Sequence, residues 1–315
     1  MTAFRFSTNV FTTGSPAAFA ATCRRIEAQG YDTLFAADHL GIAAPFPTLV
    51  AAAAATERLT VGTLVLNTPF WNPALLAREI ATTDQLTGGR LEVGLGAGHM
   101  KWEFDAADIP WQPLPARTEQ LAATLDHLDR AFAADGFARQ ADLRAAGEPV
   151  LRPVQRHGFG GFGPPLIIGG TGDRVLRLAA ERADIVSIAG IHQVKGAEPG
   201  ILRIGSAAEA KDRVRFARGC AGDRADAVEW HVLVQAVVPA DDRRAAAAEL
   251  AGRYGPALTA DDLLDTPFLL IGTVEEMAGQ VLRNRERFGF TYYSVQAPSA
   301  EAFVPVMDRV RALGG

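Results

Sequence analysis

The feature that most restricts what this chain can fold into is an alternation of short β-type runs with helical runs, repeated eight times along 315 residues. Residues 4–11 read as a first strand. Ser15 and Pro16 then supply a helix N-cap and a first-turn proline, Phe19, Cys23 and Ile26 recur at helical spacing, and Gly30 stands where that helix should end. Further strands read at 32–38, 59–67, 90–98, 165–169, 184–189, 228–238 and 291–296. The helices between them fall near 47–56, at 72–86, 173–182, 206–218 and 274–288, through Leu121, Leu125, Leu128 and Phe132, and through Phe303, Met307 and Val310. Eight strand–helix units in roughly 250–300 residues are the count of an α/β fold of the (β/α)8 TIM-barrel type. A doubly wound sheet fits less well, because no glycine-rich turn follows the first strand. With no short repeat and no linker, residues 1–315 read as a single TIM-barrel domain. Its loop insertions lie at 98–116, 135–164, 190–205 and 239–273.

Composition narrows the function classes. At 48% hydrophobic and 21% charged residues, the chain has the makeup of a globular protein rather than a disordered one. Its net charge of −5 and lack of a basic run argue against nucleic acid or an anionic membrane surface as partner. No stretch nears the ~18 apolar residues of a membrane span, and the start lacks a basic-then-apolar secretory pattern, so a cytoplasmic location is expected. Cys23 and Cys220 have neither CxxC spacing nor histidine neighbours, and no metal site is expected.

In a barrel of this type chemistry collects at the C-terminal ends of the strands. Polar residues fall there along the chain: Asn9, Asp38 and His39, Asn67, Gly98 and His99, Gly169 to Thr171, Ser187 and His192, Gln235 and Gln296. Their convergence describes a cofactor or substrate pocket, and strand interiors otherwise read as apolar. His39 beside Asp38 has the makings of a general acid–base whose tautomer a carboxylate fixes; the plainer reading is a helix-capping aspartate and a surface histidine. His99 is a second such candidate. Gly94, Gly96 and Gly98 leave one strand face bare, either for a flat ring or phosphate or for tight packing. Gly169, Gly170 and Thr171 lead into a helix that would be capped by Asp173, with Arg174 or Arg177 adding charge. That is an anion site or a tight turn. Trp71, Trp102 and Trp111 read as plugs of the barrel rim, and Lys101, Glu103 and Asp105 as a solvated face.

The segments Gly30-Tyr-Asp-Thr-Leu-Phe-Ala-Ala-Asp-His39, Gly62-Thr-Leu-Val-Leu-Asn-Thr-Pro-Phe-Trp-Asn-Pro73, Asp84-Gln-Leu-Thr-Gly-Gly-Arg-Leu-Glu-Val-Gly-Leu-Gly-Ala-Gly98, Pro165-Leu-Ile-Ile-Gly-Gly170 and Ile271-Gly-Thr-Val-Glu-Glu276 together resemble the luciferase-like (bacterial luciferase-type) oxidoreductases. The likeness spans essentially the whole chain. Asp38-His39 and the third and fourth strands are similar to the actinobacterial branch that uses the deazaflavin coenzyme F420. The resemblance implies that His39 lies at the deazaflavin ring, with Asp38 and Asn67 also touching it. It implies that Leu64 and Val65 form a bulge that in relatives often holds a non-proline cis peptide. The stretches around Gly98-His99 and Gly169-Gly170 would bind the cofactor's side chain and phosphate. It also implies a homodimer. Asn9, Leu64, Val65, Asn67, Gly96, Gly98, Gly169, Gly170, Thr171 and Arg174 are accordingly the expected cofactor-binding residues, and His39, Asp38 and His99 the expected catalytic ones.

The chain departs from the branch's glucose-6-phosphate dehydrogenases. His99 stands where they carry a catalytic glutamate, and their substrate-phosphate lysines have no match among the three lysines here. The expected activity is hydride transfer between F420 and a small alcohol, carbonyl, imine or activated alkene, with His39, oriented by Asp38, handling the proton. The alternatives are an FMNH2-dependent monooxygenase and a flavin-binding barrel without turnover.

Overall fold

Parallel strands whose two faces are both covered need apolar residues on each face, and the eight runs supply them. The computed structural model describes residues 3–133, 145–147, 151–194, 196–197, 201–251 and 258–314. Its strands are β1 (Arg5–Val10), β2 (Thr33–Ala36), β3 (Thr60–Thr63), β4 (Leu66–Asn67), β5 (Leu91–Gly96), β6 (Leu166–Gly170), β7 (Ile185–Ile188), β8 (Ile191–Gln193), β9 (Leu202–Ile204), β10 (Glu229–Val234), β11 (Ala236–Pro239), β12 (Leu269–Gly272) and β13 (Tyr292–Val295). Neighbours run β3-β2-β1-β13-β10-β7-β6-β5, and β3 also pairs with β5, which closes the ring. Every pairing within that ring is parallel. The third barrel strand is broken into β3 and β4 by a non-proline cis peptide between Leu64 and Val65, at the bulge the resemblance implied.

Helices follow the strands where periodicity placed them. Ser15 caps Pro16–Ala28, Asn72 caps Pro73–Leu86 through the Ala74 and Leu75 amides, and Ser206 forms a capping box with Glu209. The apolar core lies between the strands' outer faces and these helices: Phe6 meets Phe303 edge-on at 5.6 Å, for example. Burying such a side chain contributes about 1.5–3 kcal/mol.

Three readings need correction. The connection 190–205 carries an antiparallel hairpin, β8–β9, whose strands are too short to show a period; residues 195 and 198–200 of it lie outside the described residues. The run 228–238 is two strands, and β11 leaves the barrel to pair with β12 in a side sheet. Within 135–164, residues 135–144 and 148–150 lie outside the described residues. The strand interiors are not wholly apolar. The barrel's entry end holds Arg5 ion-paired with Glu92 and, at 2.7 Å, with Glu229, while Tyr292 donates to Glu92 at 2.9 Å. Above that layer the fully buried His231 bridges Ser187 and Ser294, both at 2.7 Å. A polar residue every second position inside an otherwise apolar strand is easily read as noise. In a barrel those positions all face one lumen, where they pair with each other.

Candidate active site

The alternation of β2 decides where its last residues point. Phe35 packs in the lumen with Ile167, Ile185 and Tyr292. Continuing that alternation brings His39 to the barrel mouth and Asp38 to the outer side. The contacts agree. Asp38 Oδ2 accepts from the Asn67 amide at 3.0 Å and from Trp71 Nε1 at 2.8 Å, and Trp71 packs edge-on against Phe46 of the helix Pro45–Ala55. Burial raises the Asp38 carboxyl pKa, against the lowering effect of these two donors. Asp38 therefore ties down the chain just beyond the cis peptide.

Asp38 does not orient His39, which corrects that expectation. His39 Nδ1 lies 2.9 Å from Glu103 Oε1, and the same oxygen accepts from the Leu40 amide at 3.1 Å. Glu103 is not on a solvated face either: only 1% of it is exposed. It sits in the short helix Lys101–Ala106, where Lys101 and Asp105 pair on the outer side at 2.6 Å. Two residues along a helix turn the chain by about 200°, so a salt-bridged Lys101–Asp105 face sends Glu103 inward. That signal was present in the sequence.

His99 meets His39 edge-to-face, with ring centroids 5.5 Å apart. Although His99 keeps open surface, the crowding around its ring lowers its pKa below the ordinary imidazole value, and the neighbouring His39 and Arg117 lower it further. Arg117 is a buried clamp that pattern reading missed. It donates to the carbonyls of Ala97, Gly98 and Gln112 and lies 3.8 Å over the Trp111 ring. It thereby fixes the loop that carries His99. Trp111 packs edge-on against Phe104 at 4.8 Å with Arg117 over its ring, as a rim plug would, and Trp102 is instead exposed.

The expected cofactor residues divide by what they already touch. Asn67 is 5% exposed, and neither atom of its carboxamide has a hydrogen-bond partner among the described residues. Buried amides are seldom left so. Asn9 is engaged instead: it donates to Gln296 at 2.7 Å and accepts from the Ala297 amide at 2.7 Å. At Gly96 the bare face is filled, since a Cβ would lie 2.6 Å from Val65 Cγ2. Gly94 is likewise packed, against Thr63 and Val65, so packing accounts for both glycines. Gly98 has φ +73°, and a Cβ there would strike the Asn67 carboxamide and Phe104. Leu64 and Val65 are half-buried at the bulge.

Gly169, Gly170 and Thr171 end β6 and lead into the helix Asp173–Arg182. Its N-cap is Gly172, with no side chain on the first amides; Asp173 is not the cap but pairs with Arg213. Around Gly172 a Cβ would meet nothing nearer than Leu114, at 3.9 Å. Arg174 is exposed on the first turn. The arrangement leaves uncovered amides beside the positive end of a helix. Among the described residues no group of three or more His, Cys, Asp or Glu forms a metal site.

A His39–Glu103 pair, a carboxamide without a partner among the described residues and a glycine-lined helix start thus lie at the C-terminal ends of the barrel strands. The chain belongs to the luciferase-like monooxygenase family, whose model matches residues 1–292. It is 30% identical over 188 residues to a 5,10-methylenetetrahydromethanopterin reductase of Methanolobus tindarius, covering 59% of this chain and 54% of that protein. It is 36% identical over 100 residues to an FMNH(2)-dependent dimethylsulfone monooxygenase of Pseudomonas putida, covering 32% and 27%. The match thus takes in little more than half of the first relative's length and about a quarter of the second's. Among solved structures, an F420-dependent secondary alcohol dehydrogenase in complex with an F420–acetone adduct superposes with a TM-score of 0.69 at 18% identity, over 98% of each chain. At that identity the likeness speaks to the fold.

Proposed function

We propose that this protein is an F420-dependent oxidoreductase that moves a hydride between the deazaflavin and a small organic substrate bearing an alcohol, carbonyl, imine or activated alkene. The observation that carries the reading is the His39–Glu103 pair at 2.9 Å beside the unpartnered carboxamide of Asn67, all at the C-terminal mouth of the barrel. The residues present fit a bound deazaflavin. Asn67 would satisfy its amide on the ring, and the backbone of Gly169, Gly170 and Thr171 with the first amides after Gly172 would hold the phosphate, helped by Arg174. When bound, that cofactor supplies a two-electron hydride carrier. His39 gives or takes the substrate proton, and Asp38 keeps the Asn67 backbone in place. His99, whose pKa is lowered, stays neutral and lines the mouth beside His39. The relatives' names support both an F420 and an FMN reading; a protonatable pair at the mouth favours proton-coupled hydride transfer over protection of an oxygenated flavin.

We further propose that the protein works as a homodimer in the cytoplasm. Among the described residues no helix is long and apolar enough to cross a membrane. The test of the activity is anaerobic incubation with F420 and a panel of small secondary alcohols, following bleaching of the deazaflavin's visible band. Bleaching that His39→Gln abolishes is the expected result. Absence of bleaching together with formation of an oxygenated product from a supplied substrate, reduced FMN and dioxygen, beyond that seen without protein, would favour the monooxygenase instead.

A further inference from the structure

Resting on the hydride-transfer reading, we infer that Glu103 is the positioning residue of His39. It holds the neutral imidazole as the Nδ1–H tautomer and leaves Nε2 as an acceptor at the mouth, so the site takes substrates whose reduced form carries an O–H or N–H on the reacting carbon.

The tautomer follows from the partners. A backbone amide can only donate, so Glu103 Oε1 accepts from Leu40 at 3.1 Å. An oxygen already accepting there is not the one that would carry a carboxyl proton. The contact at 2.9 Å is then made by a proton on His39 Nδ1. Asp38 does not take that place: among the described residues no hydrogen bond joins it to His39, and its Oδ2 accepts from the Asn67 amide and Trp71 Nε1. The perpendicular His99 ring, 5.5 Å away, packs against the imidazole and hinders its rotation. With Nδ1 turned toward the buried Glu103, Nε2 lies on the opposite edge of a side chain that keeps 37% of its surface exposed. The lone pair at Nε2 is thus the part offered to a ligand.

That lone pair selects the chemistry. In the oxidative direction the O–H or N–H proton would pass to Nε2 and a C=O or C=N bond would form, with the C–H hydride given up to the deazaflavin of the proposed function. The imidazolium produced is held by the Glu103 carboxylate, a charge-assisted hydrogen bond. The reverse direction returns the proton to oxygen or nitrogen. A saturated C–C bond offers Nε2 no O–H or N–H donor, so the substrates proposed above narrow to alcohols, carbonyls and imines, and the activated alkene drops out.

The experiment is a two-bond 1H–15N correlation spectrum of 15N-histidine-labelled protein without cofactor, with the pH raised until His39 is neutral and its signals assigned by their loss in H39Q. The Nδ1–H pattern is expected in the wild type, in D38N and in E103Q, where the amide oxygen still accepts. It is expected to give way to a majority of Nε2–H in E103A. An Nε2–H pattern in the wild type, its appearance in a folded E103Q, or survival of the Nδ1–H pattern in E103A overturns the assignment. The wild-type and E103Q spectra decide the matter where E103A does not fold. These spectra need no cofactor, so they stand apart from the F420 reading, which fails separately if F420 does not bind. With F420 added, cyclohexanol is expected to shift the Nε2 resonance and cyclohexene to leave it in place. Equal shifts from both, or from neither, overturn the substrate class.

Discussion

Replacing His231 tests the lumen that supports the site. Its imidazole is fully buried between Ser187 and Ser294, and burial, with Arg5 adding to it, brings its pKa down to about 3. In the unfolded chain the same ring has its ordinary value of roughly 6.5. A base whose folded pKa is depressed contributes stability above its unfolded pKa and loses it as the pH falls. Between those two values the unfolded state binds one proton more, so each pH unit of acidification costs about 1.4 kcal/mol. From about pH 7 to about pH 5 the loss amounts to about 2 kcal/mol. His231→Gln removes this titration while keeping a group able to bond one serine. Leaving the other serine unpaired lowers stability at neutral pH by about 1–3 kcal/mol. Urea unfolding of both proteins across that pH range should therefore show the gap narrowing by about 2 kcal/mol on acidification, with the contribution of the other histidines cancelling in the difference. A constant gap would refute a neutral, desolvated His231 and the lumen network built on it.

Three further substitutions read the mouth. Asn67→Ala removes an amide that has no partner among the described residues, so the free protein should keep its stability, while F420 affinity measured by fluorescence falls about tenfold, or ~1.4 kcal/mol. Gly98→Ala places a methyl group against Asn67 and Phe104 at a positive φ, and should lower the unfolding free energy by about 1–3 kcal/mol and weaken F420 binding in the same titration. Asp38→Ala strands the Asn67 amide and Trp71 Nε1, and thermal unfolding should report a loss of about 1–3 kcal/mol, most of it recovered in Asp38→Asn.

What could be read from the residues alone depended on whether a pattern was local. The strand–helix alternation, the Ser15 cap and the helices 72–86, 173–182 and 206–218 are set by neighbours a few positions apart, and the structure has them close to where they were read. Asp38 and His39 were legible as polar groups at a strand end. Their division of labour was not, because adjacent strand residues face opposite ways and the partner of His39 lies 64 positions on. Glu103 looked solvated because its neighbours Lys101 and Asp105 are. Arg117 and His231 carry no local signature: one acts on carbonyls some 20 residues back, and the other on serines 44 and 63 positions away. The hairpin β8–β9 and the side strand β12 are too short for a period to speak, and only their pairing defines them.

We propose that this barrel mouth is built for a deazaflavin. Parallel fluorescence or calorimetric titrations with F420 and with FMN under one buffer test it most directly. Micromolar binding of F420, at least about tenfold tighter than FMN, or ~1.4 kcal/mol, and weakened by Asn67→Ala, is the predicted result; micromolar binding of FMN with none of F420 would contradict it.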